Sequence, residues 1–362
     1  MNQMSERHDG QARLSIDLEA LATNWAFFRD HSDGAESSAV IKANGYGLGV
    51  VPVAQRLAKA GCKTFFVAHL GEGIVARAAL GSEPIIYVLN GLMTGQCAAF
   101  HEHNLRPVLN DVGQIGHWRE EGLGAPAALH VDTGMNRLGI GEDDLDAANE
   151  ALTGVNLALI MSHLACASDP QHPKNDMQRD AFISAAAQLP PAPLSLAASA
   201  GILLEGDFCF DLVRPGIGLY GGGPFDVEHV PLVPVACLEA PIIQLRRIGP
   251  GDTVGYGATW QADRAKTIAT VALGYADGFL RSGSSRGFAI VAGAVCPIVG
   301  RVSMDMISLD VTSAGKAAMV GSYAQFLGRG APIDAQAQAL NTISYELLTG
   351  LGQRFERVYE GL

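Results

Sequence analysis

The most constraining feature of this sequence is the alternation of short apolar runs with helix-length amphipathic segments over its first 235 residues. Eight runs have the length and composition of strands, at residues 38–42, 64–68, 85–89, 105–109, 127–132, 157–163, 194–198 and 211–214. Because strands separated by helices pair in parallel, eight repeats predict an α/β fold of the (β/α)8 barrel type. An open, doubly wound sheet is the alternative, since periodicity does not show closure.

Helical periodicity fills the segments between these runs. Residues 50–60, for example, place Val50, Val53, Ala54 and Leu57 on one face, with Pro52 near the start. This spacing predicts an amphipathic helix.

The alternation ends at a segment rich in Gly and Pro, residues 221–235, which predicts a linker. Beyond it, apolar runs separated by glycines predict strands at residues 237–246, 267–273, 288–291 and 306–311. We therefore predict a polar tail at residues 1–11, a barrel at residues 12–235 and a mostly β domain at residues 236–362.

Composition excludes several classes of protein. With 48% apolar and 17% charged residues, the chain has ample material for a core, which excludes intrinsic disorder. A net charge of −12 without a basic run argues against binding to nucleic acid. No apolar stretch is long enough for a membrane span, and the polar start lacks the apolar segment of a signal peptide. We expect a soluble, cytoplasmic protein. Its six scattered cysteines are expected to be reduced thiols without a metal.

Functional side chains of a barrel lie at the C-terminal ends of its strands. The residues at these ends are Lys42, Asp132 with nearby Arg137, His163, Ser199 and Arg214. Lys42 directly follows an apolar run, and an amine held in an apolar barrel mouth has a lowered pKa and attacks aldehydes. The alternative for Lys42 is a solvated loop lysine.

Each of the other residues also has a structural alternative. His163 could be a core histidine, Arg214 part of an ion pair, and Ser199 a helix N-cap. The glycines after Lys42, in NGYGLG, could form a phosphate-binding turn of a dinucleotide site. They lack the GxGxxG spacing, and no acidic residue follows at the distance that a ribose contact requires.

Seven segments together resemble, in order and spacing, the motifs of the alanine racemases, which belong to the barrel-type class of pyridoxal phosphate enzymes. They are AVIKANGYGLG, VDTGMNRLGI, MSHLACASD, VRPGIGLYG, GYGATW, GYADG and GRVSMDM. The resemblance extends from about residue 12 to the C-terminus. It implies a homodimer that racemises alanine with pyridoxal 5′-phosphate and supplies D-alanine for peptidoglycan.

The resemblance also implies roles for individual residues. Lys42 is similar to the lysine that holds the cofactor as a Schiff base and acts as one catalytic base, and Tyr256 to the opposite base from the partner subunit. Residues similar to the phosphate-binding positions are Tyr46, Ser199, Gly216 and Ile217. Arg137, His163 and Arg214 resemble the partners of the phenolic oxygen, the ring and the pyridine nitrogen. Arg137, Tyr275, Met304 and Asp305 resemble substrate-binding positions.

These roles are chemically coherent. Racemisation removes a weakly acidic α-hydrogen, and the conjugated cofactor accepts the electrons that are left behind. Because an arginine keeps its proton, Arg214 would leave the pyridine nitrogen largely unprotonated, which restrains the electron sink and discourages transamination. Inversion also needs a base on each face of the planar carbon, and Lys42 and Tyr256 would provide them.

Four positions depart from the common pattern of the family. His130 stands where relatives often have a carbamylated lysine that supports the arginine equivalent to Arg137. Ser195 replaces a histidine near Arg214, and Leu48 replaces the histidine of YGHG. Gln353 stands where a tyrosine narrows the substrate channel, which puts strict specificity for alanine in question.

Other functions are therefore retained as alternatives. A serine-preferring or broad-specificity racemase would share the same fold. A decarboxylase of this barrel class would place an acidic residue, instead of Arg214, at the pyridine nitrogen. A non-catalytic carrier of pyridoxal phosphate would be an isolated barrel, without the second domain that contains Tyr256.

Overall fold

A computed structural model of the protein describes residues 11–225 and 230–361. The chain divides into two compact units, Leu21–Val233 and, together, Met1–Ala20 and Pro234–Leu362. Apart from Gln11, the predicted polar tail lies outside the described residues, as do residues 226–229 of the predicted linker.

Strands and helices alternate along the first unit, which begins within α1 (Leu18–Asp30), the helix that follows β1 (Arg13–Asp17). Its strands are β2 (Glu36–Ser37), β3 (Ala39–Val40), β4 (Thr64–Val67), β5 (Ile85–Val88), β6 (Arg106–Leu109), β7 (Pro126–His130), β8 (Asn156–Met161), β9 (Leu194–Ser195) and β10 (Leu212–Val213). Its further helices are α2 (Lys42–Tyr46), α3 (Val50–Ala60), α4 (Leu70–Leu80), α5 (Cys97–Glu102), α6 (Val112–Glu121), α7 (Leu145–Ala151) and α8 (Lys174–Ala186).

The strands of this unit close into a ring. Strands β3 to β9 are consecutive parallel neighbours, and β2 pairs in parallel with β10. The Ser38 amide donates to the Val213 carbonyl, and the Arg214 amide donates to the Ala197 carbonyl. Strands β2 and β3 together therefore occupy the first strand position, and the prediction of a (β/α)8 barrel is confirmed.

Helix α3 shows how the sequence pattern produces the barrel. Val50, Val53, Ala54 and Leu57 are buried, as their spacing predicts, and each large aliphatic side chain contributes about 1.5–3 kcal/mol on burial. Gly61, at φ +109°, ends the helix in a left-handed conformation that favours glycine.

The second unit is mostly β, as predicted. Its strands after β1 are β11 (Ala236–Ile248), β12 (Thr253–Val254), β13 (Trp260–Gln261), β14 (Lys266–Val271), β15 (Phe288–Val291), β16 (Ala294–Pro297), β17 (Ile307–Asp310), β18 (Tyr323–Leu327) and β19 (Glu356–Glu360). Its helices beyond the linker are α9 (Ile333–Ala339) and α10 (Ser344–Thr349). The main sheet has the order β16-β15-β18-β11-β1-β19, and the far half of β11 also pairs with β14, which pairs with β17.

Strand β1 lies in this β unit, whereas we predicted that the barrel domain begins at residue 12. It pairs antiparallel with β11 and parallel with β19, and its Leu14 and Ile16 are fully buried in the sheet. Both partners are more than 200 residues away in sequence, so no local pattern indicates the pairing.

No helix within the described ranges is both long enough and apolar enough to span a bilayer.

Candidate active site

The C-terminal ends of the barrel strands bring together the titratable residues predicted from the sequence. Lys42 follows β3, Asp132 follows β7, His163 follows β8, and Arg214 comes directly after β10. Ser199 follows the short strand β9 by four residues. Because parallel strands of a closed barrel end at the same rim, these side chains surround one space.

The amine of Lys42 is half-buried at this rim. Burial lowers the pKa of Lys42, the positive charge of Arg137 lowers it further, and the carboxylate of Glu72 opposes both effects. A lowered pKa increases the fraction of neutral amine, which is the form that attacks a carbonyl carbon.

The segment α2, which begins at Lys42, is a single left-handed turn and not a right-handed helix. Ala43, Asn44 and Tyr46 have φ of +53°, +55° and +52°, and Gly45 has φ of +62°. This conformation costs about 1–2 kcal/mol for each residue other than glycine, so tertiary contacts must hold it. Among these contacts, the Asn44 Oδ1 accepts a hydrogen bond from the amide of Val50 at 2.9 Å.

A cradle of hydroxyl and amide groups lies beside this turn. The buried Ser199 Oγ accepts hydrogen bonds from the amides of Gly216 (2.8 Å) and Gly218 (3.3 Å). A Cβ on Gly216 would lie 2.5 Å from the hydroxyl of Tyr46, so only glycine allows this approach. Ile217 begins the short turn that follows. Tyr46 and Ser199 thus present hydroxyls where two chain segments meet, a donor set suited to phosphate oxygens.

Arg214 is buried and held by several hydrogen bonds. Its Nη1 donates to Ser195 Oγ, and its Nη2 donates to the carbonyls of Ser162 and Leu196. The same Nη2 lies 3.4 Å from His163 Nδ1.

Burial lowers the pKa of both Arg214 and His163, yet it leaves the first charged and the second neutral. It lowers the pKa of Arg214 to about 9, so the guanidinium stays positive at neutral pH. Burial together with Arg214 and Arg137 lowers the pKa of His163 to about 3, so its imidazole is neutral. The rim therefore combines a fixed cation with a flat, uncharged ring.

His130, the last residue of β7, is buried below the rim. Its Nδ1 lies 2.9 Å from the Asn110 Oδ1. Because the amide nitrogen of Asn110 already donates to two carbonyls, His130 is the donor in this bond. Burial, with the charges of Arg214 and Arg137, lowers the pKa of His130 to about 4.

Arg137 lies on an exposed loop that is closed at its base by backbone hydrogen bonds. The Ile140 amide donates to the His130 carbonyl, and the Asp132 amide donates to the Ile140 carbonyl. Asp132 Oδ1 accepts from the amides at positions 134 and 135, which shapes the turn. The positive charge of Arg137 lowers the pKa of both Lys42 and His163, so its side chain belongs to the same rim.

The other predicted residues lie in the β unit. Tyr256 is 72% exposed between two glycines with φ of +74°. The amide of Tyr275 donates to the Ser303 carbonyl, which brings it next to Met304, and both side chains are exposed. Asp305 pairs with Arg354 at 2.8 Å.

Sequence reasoning missed three residues that support the rim. Tyr220 stacks on Tyr46 with ring centroids 4.4 Å apart and donates to the Val40 carbonyl. Gln178 is buried in α8 and donates to the His163 carbonyl and to Thr133 in the loop of Arg137. Glu72, at the third position of α4, accepts from the amide of Ala43. Only Glu72 had a local signal, an acidic residue at the N3 position of a helix.

Comparisons with known proteins agree with this arrangement. Models of the N-terminal and C-terminal domains of alanine racemase match residues 16–224 and 235–359. The chain is 47% identical over 355 residues to the alanine racemase of Methylobacterium sp. (strain 4-46), covering 96% of this chain and 97% of the relative. It is 42% identical to a protein of Mesorhizobium japonicum named "Alanine racemase, catabolic", covering 97% of this chain and 93% of that relative.

A solved structure has the same fold over almost the full length. The alanine racemase from Bartonella henselae, with covalently bound pyridoxal phosphate, superposes with a TM-score of 0.92 at 38% identity, covering 97% of this chain and 99% of the other. With both domain models matched and relatives above 40% identity along the chain, this protein belongs to the alanine racemase family, a family of isomerases.

Proposed function

We propose that this protein interconverts L- and D-alanine with pyridoxal 5′-phosphate bound at the barrel rim. The observation that carries the proposal is the half-buried amine of Lys42, of lowered pKa, on the same rim as the Tyr46–Ser199–Gly216 cradle and the Arg214–His163 pair. Membership of the family supports the proposed reaction, and the pyridoxal phosphate bound in the Bartonella henselae relative supports the proposed cofactor.

The residues of the rim fit this cofactor group by group. The amine of Lys42 suits its aldehyde, and the hydroxyls of Tyr46 and Ser199 with the backbone of Gly216 and Ile217 suit its phosphate. The neutral imidazole of His163 suits the face of the ring. Arg214 offers a donor to a ring nitrogen that can only accept, and the exposed Arg137 offers one to the phenolic oxygen.

The chemistry that the cofactor supplies is withdrawal of electrons from the α-carbon of the amino acid. The residues of the chain hold and move the protons. Lys42 exchanges a proton on one face of the α-carbon, and Tyr256 of a second subunit exchanges one on the opposite face. The positive charge of Arg214 keeps a proton away from the ring nitrogen, which limits side reactions such as transamination.

We assign Tyr256 to the site of a partner subunit in a homodimer. A tyrosine that is 72% exposed between two glycines is accessible to another molecule, and the resemblance of GYGATW to the family motif supports this assignment. Tyr275, Met304 and Asp305 would enter the site with Tyr256. The backbone amides of Met304 and Asp305 are suitable donors to the substrate carboxylate.

The product D-alanine would serve peptidoglycan synthesis in the cytoplasm. A relative with 42% identity is named as catabolic, so degradation of D-alanine is the competing role. Deleting the gene in its host separates the two: a requirement for added D-alanine supports the biosynthetic role, and impaired growth on alanine alone supports the catabolic one.

Two assays test the proposed activity. Borohydride reduction of the protein loaded with pyridoxal phosphate, followed by peptide mass mapping, should find the cofactor on Lys42, and Lys42→Ala should carry none. Incubation with L-alanine, L-serine and L-lysine should give the D-enantiomer of alanine fastest, without release of CO2. Equal or faster racemisation of serine would instead support a broader enzyme, consistent with Gln353 in place of a tyrosine.

A further inference from the structure

The left-handed turn after Lys42 needs an external support. Ala43 and Asn44 adopt φ of +53° and +55°, a region that side chains other than glycine avoid unless their surroundings hold them there. Lys42 is the first residue of this segment, so the turn sets the direction of its side chain. A small relaxation of the turn would therefore move its amine.

The carboxylate of Glu72 contacts this turn directly. Glu72 Oε1 accepts a hydrogen bond from the Ala43 amide at 2.8 Å. Glu72 Oε2 accepts from the Ala68 amide at 2.8 Å and lies 3.4 Å from the His69 amide. One carboxylate thus joins the residue after Lys42 to the end of β4 and the start of α4. Hydrogen bonds to an ionised acceptor are about twice as strong as neutral ones.

Capping of α4 does not explain this arrangement. A cap needs only the bonds of Oε2 to the amides at the start of the helix. The bond of Oε1 leaves the helix and crosses 29 residues of sequence to reach Ala43. Glu72 also acts on Lys42 electrostatically, because its negative charge raises the pKa that burial and Arg137 lower.

We propose that Glu72 is a positioning residue for the reaction, a strut that holds the left-handed turn and thereby fixes where the amine of Lys42 meets the cofactor. This inference rests on the proposed function of Lys42. It assigns Glu72 no contact with substrate or cofactor, since its action passes through Ala43.

The test compares Glu72→Ala and Glu72→Gln with a matched control. Asp111→Ala is the control, because Asp111 caps α6 of the same barrel through the Gln114 amide at 2.8 Å. It therefore removes one helix cap without touching the turn. For each variant, the binding constant for pyridoxal phosphate, the fraction of Lys42 fixed by borohydride, and kcat and KM for L-alanine are measured.

We expect Glu72→Ala to bind pyridoxal phosphate about tenfold more weakly or worse, as loss of a charge-assisted hydrogen bond implies. At saturating cofactor, its kcat should fall about tenfold to a hundredfold while KM changes little, because a misplaced amine slows proton transfer. Glu72→Gln should recover part of both losses, since its amide oxygen still accepts from Ala43. Asp111→Ala should stay within about twofold of the wild type, because the hydrogen bond that it removes lies within the first turn of α6.

Hydrogen exchange gives a readout that does not depend on activity or on Glu72→Ala folding. Peptides that contain Ala43 should exchange faster in Glu72→Gln than in the wild type, because a neutral amide oxygen holds the Ala43 amide more weakly than a carboxylate does and the amide nitrogen cannot accept from Ala68. Peptides from α6 should exchange at the wild-type rate. Wild-type cofactor affinity and kcat in Glu72→Ala, or unchanged exchange at Ala43 in Glu72→Gln, would overturn the role of Glu72 while leaving the proposed function intact. A wild type without cofactor on Lys42 would overturn both.

Discussion

Arg214 illustrates how single residues set the character of the site. Four groups surround its guanidinium, and one of them is Ser195, at a position where the family resemblance implies a histidine. The serine hydroxyl accepts from Arg214 and donates to the carbonyl of Leu212, so the position still fixes the guanidinium. Ser195 therefore helps to hold the cation at the rim.

His130 provides a prediction about pH. Its pKa is about 4 in the folded protein, mainly because of burial, against about 6.5 in an unfolded chain. Between these values the unfolded chain binds a proton that the folded chain does not. The contribution of His130 to the free energy of unfolding is thus complete above about pH 6.5 and is lost as the pH falls through about 4, at about 1.4 kcal/mol per pH unit.

Urea unfolding between about pH 6.5 and pH 4 measures this slope. We expect His130→Gln to lose stability at neutral pH, with the bond to Asn110, and to show a shallower dependence on pH by about one proton. His117→Gln, at an exposed position in α6, should keep the wild-type slope. An undiminished slope in His130→Gln would contradict a buried neutral imidazole.

The loops at the strand ends form the site, and the substitution Gly216→Ala tests how closely two of these loops must approach each other. A methyl group there would lie 2.5 Å from the Tyr46 hydroxyl and displace a ring that is stacked on Tyr220. Overpacking of this kind costs about 1–3 kcal/mol, so Gly216→Ala should bind pyridoxal phosphate about tenfold more weakly or worse. Fluorescence titration measures the affinity.

Gly116→Ala is the control for this substitution, because a Cβ at Gly116 in α6 meets no atom within 4 Å. It should leave cofactor affinity unchanged and raise the melting temperature slightly, as alanine favours helix. Wild-type affinity in Gly216→Ala would show that the cradle does not bind the cofactor.

Elements with local patterns could be predicted from the sequence, and elements formed by distant pairing could not. The eight barrel strands and α3 follow from apolar runs and helical spacing, since each buries its own face. Strand β1 is only five residues long, and its partners β11 and β19 lie in the last third of the chain. Strands β18 and β19 were missed for the same reason, because they pair with β11 and β1, which are distant in sequence. Strand β16 was also missed, although it pairs locally with β15 in a hairpin.

The site residues also differ in whether a local sequence pattern predicts them. Lys42, His163 and Arg214 could be found because they follow strands that the pattern predicts. The contact between Glu72 and Ala43 depends on the left-handed turn, and no local rule predicts three L residues with positive φ in one turn. The position of Tyr256 opposite Lys42 comes only from the family resemblance and stays a prediction.

In the proposed dimer, each catalytic site contains residues of both chains. If Tyr256 enters the partner, Lys42→Ala and Tyr256→Phe are inactive alone but complement each other when refolded together. A mixed dimer has one site with both defects and one with neither. Random pairing gives mixed dimers about half the time, so activity should recover to about a quarter of the wild type.

The mixing experiment also separates this arrangement from its alternative. If Tyr256 served its own subunit, every site would keep one defect and mixing would restore nothing. Both variants must first be shown to refold and to form dimers of wild-type size, and Tyr256→Phe must bind pyridoxal phosphate. With those controls, a recovery near zero would contradict the shared site.

Incubation with L-alanine in D2O follows both the change of configuration and the moving proton in one measurement. The protein loaded with pyridoxal phosphate should convert L-alanine to equal amounts of the two enantiomers, and each should carry deuterium on the α-carbon, because racemisation exchanges that hydrogen with the catalytic bases. Lys42→Ala should leave the alanine unchanged and unlabelled. If the loaded wild-type protein leaves L-alanine unlabelled and of unchanged configuration, or if Lys42→Ala still converts it, then Lys42 and pyridoxal phosphate do not form the racemase site that we propose.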